Sequence, residues 1–210
     1  MISRLEQPID SVCHDRAIVI GYGNTLRSDD GAGQKVAEIL ASWHLPQVRS
    51  ISIHQLTPEL AAPIAEAELA IFVDDYQVEA NSELANSHDN IASLHKGGWG
   101  DSTTAETHQL NFNCLLATND VRVISIDTTT SKKSDPIKAA GHITNPHSLL
   151  DLTDLVYGKA PVAWWILIPA VKFEFGDRLS TLTTAGIARA IPLIQQIIHY
   201  RSVNDRNDFT

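Results

Sequence analysis

A chain of 210 residues, 43% of them hydrophobic, can bury the core of one α/β domain, and the whole of 1–210 is read as a single domain. A formal net charge of −9 argues against nucleic acid, because binding phosphate needs clustered Lys and Arg. No apolar run approaches the roughly 20 residues that span a bilayer, the first ten residues lack the apolar stretch of a signal peptide, and Cys13 and Cys114 form no C-x-x-C pair, so a soluble, cytoplasmic protein without a membrane partner is expected.

The first element is Ala17–Gly21, a short apolar run, β-branched at Ile18, Val19 and Ile20, as in a strand buried on both faces. A helix is predicted from about Gly31 to Trp43, with Val36, Ile39 and Leu40 at helical spacing. Val48–Ile53 reads as a second strand. Thr57-Pro58 starts a second helix, with Thr as N-cap and Pro at the first helical position. Leu69–Val73 is the next buried strand, ending abruptly at Asp74-Asp75. This alternation of strand and helix signals βαβ units and a largely parallel sheet.

Between about Tyr76 and Asp120 the periodicity lapses into Asn, Ser, Thr, His and Gly, which we read as a polar insertion at 76–120. A strand resumes at Val121–Ile126, followed by a polar loop over 127–136. Thr144-Asn145-Pro146 opens a helix whose apolar side is Leu149, Leu150, Leu152 and Leu155. Ala163–Ile168 is the last strand, and Leu182–Tyr200 the closing helix, where Pro192 should kink or restart it. A polar tail follows from Ser202 to Thr210.

The chemistry is expected around the turn after the first strand. A dinucleotide fingerprint begins the same way, and Gly21 and Gly23 fit it, but Leu26 stands at its third glycine. The next strand runs into His54-Gln55 and offers no ribose carboxylate, and no G-K-[ST] marks a P-loop. The turn is instead read as presenting Asp29 and Asp30. Ligands of open parallel sheets bind beyond the carboxyl ends of the strands, and there Asp30, Asp74 and His147 would fall. A helix N-terminus disfavours imidazolium, which leaves His147 a lone pair for a metal. Two carboxylates and an imidazole suit divalent Ni, Zn, Mn or Fe.

Each residue also has a plainer reading. Asp29 or Asp30 can cap a helix, Asp74 can be a strand-end turn residue with Asp75 its duplicate, and His147 can be a surface residue. His54 ends a strand or lines the same cleft. His88, His95 and His108 show no ligand spacing. Residue pattern alone supports an α/β domain with a carboxylate–imidazole site.

These positions resemble the nickel–iron hydrogenase maturation proteases. Members carry a G-x-G-N-x-L-x-x-D-[DE]-G-x-G segment, matched from Gly21 to Gly33 through Asn24, Leu26, Asp29, Asp30 and Gly31. His54-Gln-Leu-Thr-Pro-Glu-Leu60, the strand ending at Asp74 and the helix-opening Pro146-His147 also correspond. The order agrees from about Ala17 to Ile198, apart from the long polar segment at 76–120.

The resemblance implies a three-layer α/β sandwich: a twisted, mostly parallel five-stranded sheet with helices on both faces. It implies an endopeptidase, active as a monomer, that removes the C-terminal extension of a hydrogenase large-subunit precursor once nickel is installed. The family's metal-contacting positions map onto Asp30, Asp74 and His147, with Asp30 the shorter acid where some members have Glu. Nickel then arrives with the substrate precursor, and no tightly bound cofactor is expected. The metal polarises the scissile carbonyl or activates water, worth several kcal/mol of barrier, or Asp30 or Asp74 serves as general base. No serine or cysteine nucleophile is needed. Gly21, Gly23 and Asn24 shape the turn that aims Asp30, and Thr57-Pro58-Glu59 borders the cleft. Two rival functions remain: a metal-dependent amidase for small substrates, and a nickel-checking maturation factor that cuts nothing.

Overall fold

The structure, a computed structural model, describes residues 16–78, 120–126 and 145–207, with side chains up to residue 200. Cys13, Cys114, most of the expected insertion and the polar loop at 127–136 lie outside the described residues.

Five strands form one sheet: β1 (Ala17–Tyr22), β2 (Val48–Ile53), β3 (Leu69–Gln77), β4 (Arg122–Ile126) and β5 (Val162–Ala170). Among the described residues four α-helices accompany them: α1 (Ala32–Ser42), α2 (Ala61–Glu66), α3 (Pro146–Tyr157) and α4 (Thr181–Asn207). The strand order is β2-β1-β3-β5-β4. Every neighbouring pair is parallel except β4, which runs antiparallel to β5.

The unbroken apolar run of β1 follows from its central place between β2 and β3. Its side chains alternate between two cores. Ala17 and Val19 face Ala32, Val36 and Leu40 of α1 and Ile187, Ala190 and Ile194 of α4. Ile18, Ile20 and Tyr22 face Leu60, Ala61 and Ile64, with Leu149, Leu150 and Leu152 of α3. The expected three-layer sandwich, helices on both faces of a mostly parallel sheet, is what these two cores build.

Local signals set most helix starts. Asn145 adopts extended backbone and its side chain accepts the Ser148 amide at 3.0 Å, with Pro146 in the first helical position. Gly158 closes α3 in the left-handed conformation, at φ 69°. Thr57 is the N-cap as expected, with extended backbone, but its side chain makes no capping bond, and the chain runs through a 3-10 turn at Pro58–Leu60 before α2.

Four expectations need correction. β3 does not end at Val73: Asp74 through Gln77 pair with Leu167 through Ala170 of β5, so both aspartates lie within a strand. Leu155 is 54% exposed rather than part of the α3 core. Pro192 does not restart the last helix, because Ile187 and Ala190 before it and Ile194 and Ile197 after it are buried on one core. That shared burial outweighs the roughly 3 kcal/mol a proline costs within a helix. The same helix reaches Asn207, well into the expected polar tail. No helix of the described residues is long and apolar enough to cross a membrane.

The connection from β1 through α1 leads to β2 on one side, and the chain then returns past β1 to β3 on the other. The order of winding thus reverses between the parallel strands β1 and β3, the kind of switch point at whose carboxyl ends open α/β sheets bind ligands. The β1–β3 ladder stops at Gly21↔Val73, while β3 continues alongside β5. Asp74 is the first residue of β3 past the last β1–β3 pair.

Candidate active site at the carboxyl edge

Glycines bring α1 down onto this edge. A Cβ on Gly33 would overlap the carbonyl oxygens of Val73 and Tyr22, and one on Gly21 would overlap the Gly33 carbonyl. The first turn of α1 therefore rests directly on the backbone of β1 and β3. Gly33 supplies the close helix–strand approach that Leu26 denies to a dinucleotide fingerprint. Gly23, at φ 131°, turns the chain where a side chain would strike the Asp30 carbonyl.

The turn itself is laced to the segment between β5 and α4. Ser28 donates its amide to Gly176 O at 2.8 Å and its hydroxyl to Glu174 O at 3.1 Å, while the Gly176 amide returns to Leu26 O at 2.9 Å. The Gly23 amide also donates to His54 O at 3.2 Å. His54, whose side chain is exposed, thus joins the site through its backbone.

Asp29 and Asp30 part company here. Asp29 is fully buried, and its carboxylate accepts the amides of Val171 at 3.0 Å, Lys172 at 2.9 Å and Ser180 at 2.6 Å. Burial acts to raise its pKa, but the bonds from Ser180, Val171 and Lys172 prevail and hold it below the ordinary value. The expectation that the turn presents Asp29 is corrected: its oxygens are taken up by backbone donors. It does not cap α1 either, since that helix starts at Ala32 with Gly31 as its N-cap and no side-chain cap. Asp30 is half-buried and accepts the Asn24 amide at 3.2 Å. Asn24 Oδ1 in turn accepts the Leu26 amide at 3.0 Å, so Asn24 shapes the turn behind Asp30.

Asp74 and Asp75 stand on opposite faces of β3. Asp74 shares the side of Phe72, and the Tyr22 hydroxyl faces it from β1. Burial pushes the Asp74 carboxyl up to about 6, with the Asp30 charge adding to the rise, against the Tyr22 hydroxyl and the Asp75 amide. Burial also raises Asp75, to about 7, helped by the charges of Asp74, Asp30 and Asp29. Asp30, Asp74 and Asp75 are thus brought within electrostatic reach of one another. Such a cluster holds a proton near neutral pH, as acid–base chemistry requires, and attracts cations.

His147 occupies the first turn of α3, exposed, with its ring edge-on to Trp165 at 6.3 Å between centroids and 78° between planes. Trp165 and Tyr22 lie between it and Asp74 on the same side of the sheet. Among the described residues, no three His, Cys, Asp or Glu side chains converge into a group that could hold a metal ion. A cavity of about 630 Å³, lined by Arg16, Gln47, Val48, Glu68, Pro192 and His199, lies at the opposite, amino edge of the sheet and shares no residue with these acids.

Residue pattern did not single out Tyr22, Asp75 or Trp165 as parts of the site. Asp75 was visible only as a twin of Asp74, and Trp165 as part of a strand. Their roles come from strand pairing, which places Trp165 beside Phe72.

No protein-family model and no curated protein matches this chain. Solved structures do. The hydrogenase 2 maturation peptidase from Thaumarchaeota archaeon SCGC_AB-539-E09 aligns at 19% identity over 88% of this chain and 98% of its own, with a TM-score of 0.54. The [NiFe] hydrogenase maturation protease HybD from Thermococcus kodakarensis aligns at 19% identity over 87% and 98%, with a TM-score of 0.53. The hydrogenase maturating endopeptidase HybD from E. coli aligns at 16% identity over 89% and 93%, with a TM-score of 0.52. At such low identity the likeness is one of fold: this chain is built on the scaffold that these three peptidases share.

Proposed function

We propose that this protein is an endopeptidase that removes the C-terminal extension of a nickel–iron hydrogenase large-subunit precursor after nickel insertion. The observation that carries the reading is the electrostatic coupling of Asp30 and Asp74 near the carboxyl ends of β1 and β3. Asp30 comes from the turn after β1 and Asp74 from within β3, in a fold shared with hydrogenase maturation peptidases. His147 opens α3 on the Asp74 side of the sheet.

In this reading nickel belongs to the substrate. Asp30, Asp74 and His147 engage the ion that the precursor brings, so that an unloaded precursor lacks the group that seats it. Nickel polarises the scissile carbonyl and water adds to its carbon. A carboxylate of the site takes the proton of that water and passes it to the departing amine as the C–N bond breaks. The protein acts as a soluble, monomeric, cytoplasmic enzyme, with no cofactor of its own.

The test is the intact mass of large-subunit precursors incubated with this protein, with and without nickel loading. Loss of one C-terminal peptide from the loaded precursor alone is the expected result. Cleavage regardless of loading would keep the peptidase and discard nickel engagement. Firm binding without cleavage would identify a nickel-checking factor, and hydrolysis of small amides alone would identify an amidase.

A further inference from the structure

The Tyr22 hydroxyl and the Trp165 indole nitrogen are buried and have no hydrogen-bond partner among the described residues. Buried donors are nearly always satisfied, because leaving one unpaired costs about 1–3 kcal/mol. Two such donors side by side, next to a site carboxylate, call for a physical reason.

Their placement supplies one. Tyr22 is the last residue of β1, 8% exposed, and its side chain lies on the α2–α3 face of the sheet with Phe72. Trp165 reaches the same face from β5, paired with Phe72 in the ladder. The Tyr22 hydroxyl lies close enough to both the Trp165 N–H and the Asp74 carboxylate for each to act on it. An indole N–H can only donate, a phenol can accept and donate, and a carboxylate accepts, so the three groups can be joined in that order.

We propose that Tyr22 is a positioning residue for Asp74: its hydroxyl, itself oriented by the Trp165 N–H, fixes which carboxylate oxygen of Asp74 faces the substrate. The relay tightens as the carboxylate engages its substrate, and apolar packing keeps water from competing for the same oxygen. Trp165 carries the arrangement outward, because its ring meets His147 edge-on. Asp74 and His147 are thereby held in register by two aromatic side chains. This inference deepens the peptidase reading and rests on it for the identity of the substrate.

Two measurements test it on the full chain. The first is a double-mutant cycle, Tyr22→Phe against Asp74→Asn, read by thermal denaturation. Coupling predicts that Tyr22→Phe shifts the melting temperature by a different amount with Asp74 than with Asn at that position. The second is steady-state cleavage of a nickel-loaded precursor by Tyr22→Phe and by Trp165→Phe. Tyr22→Phe should lower kcat about 10–100-fold, the usual cost of losing an orienting partner, with KM within about twofold. Trp165→Phe should fall in the same direction by a smaller factor. Additive melting shifts, or wild-type kcat for Tyr22→Phe, would overturn the proposal. Thermal coupling without cleavage of any precursor by the wild type would retire the peptidase reading and leave the Tyr22–Asp74 relationship standing.

Discussion

The Ser180 amide donates to the Asp29 carboxylate at 2.6 Å, joining residues 151 positions apart in sequence. Through that bond the turn after β1 is fastened to the start of α4, and Asp30 is held by its immediate neighbour. Here one aspartate of an adjacent pair anchors the loop, and the other stays half-buried within electrostatic reach of Asp74.

Asp29→Ala should therefore act on stability. It leaves the amides of Val171, Lys172 and Ser180 without their acceptor. A loss of about 3 kcal/mol is expected, or roughly 6–12 °C in melting temperature for a chain of this size. A thermal melt followed by circular dichroism within 2 °C of wild type would contradict the anchoring role.

The acids make opposite contributions to pH dependence. The folded pKa of Asp29 is depressed, so its contribution is present above the ordinary value near 3.8 and lost as pH falls through the lower folded value. Asp74 and Asp75 are raised to about 6 and about 7, so the native state binds extra protons between about pH 4 and 7 and loses stability as pH rises through that window. Asp75→Asn should then raise the melting temperature at pH 8 by a few degrees and change it little at pH 4. Equal shifts at both pH values would mean that Asp75 is not strained by its neighbours.

Asp74→Asn should fold at least as stably as wild type at pH 8, because a buried, crowded charge is removed. Processing of a nickel-loaded precursor should nonetheless drop by a factor of about 100 or more, the scale of a lost acid–base group. Cleavage at a near-normal rate would take Asp74 out of the site.

Gly33→Ala tests the placement of α1. The new methyl meets the Val73 and Tyr22 carbonyls, which are fixed in the sheet and cannot move aside as a side chain would. A loss of roughly 1–3 kcal/mol is expected, with misplacement of Asp30 and weaker processing. Unchanged melting and activity would show that the helix can lift away freely.

Replacing residues 79–119 with a short Gly-Ser linker should leave the melt within about 3 °C of wild type. The flanking ends already meet: the Tyr76 hydroxyl donates to Asp120 O at 2.9 Å, and the Arg122 guanidinium lies 3.8 Å from the Tyr76 ring centroid. Arg189 of α4 holds Asp120 at 2.7 Å. Collapse of the melt would show that the segment takes part in folding.

What the sequence determined by itself was local. The apolar run of β1, Val48–Ile53, and the Asn145-Pro146 helix start were legible because each depends on side chains a few residues apart. The alternation of strands and helices likewise implied a sheet covered on both faces, since an apolar strand needs cover on each side. Asp30, Asp74 and His147 stood out as positions at strand ends and a helix start. Only the tertiary structure decided how they relate. Asp74 and Asp75 lie within β3 because β5, some ninety positions later, pairs with them. Asp29 is an anchor because its donors come from the loop before α4. Tyr22 and Trp165 meet because two strands separated in sequence flank Phe72. Local propensity is written in neighbouring residues, whereas burial, charge coupling and hydrogen-bond partnership belong to groups that meet only when the sheet is assembled.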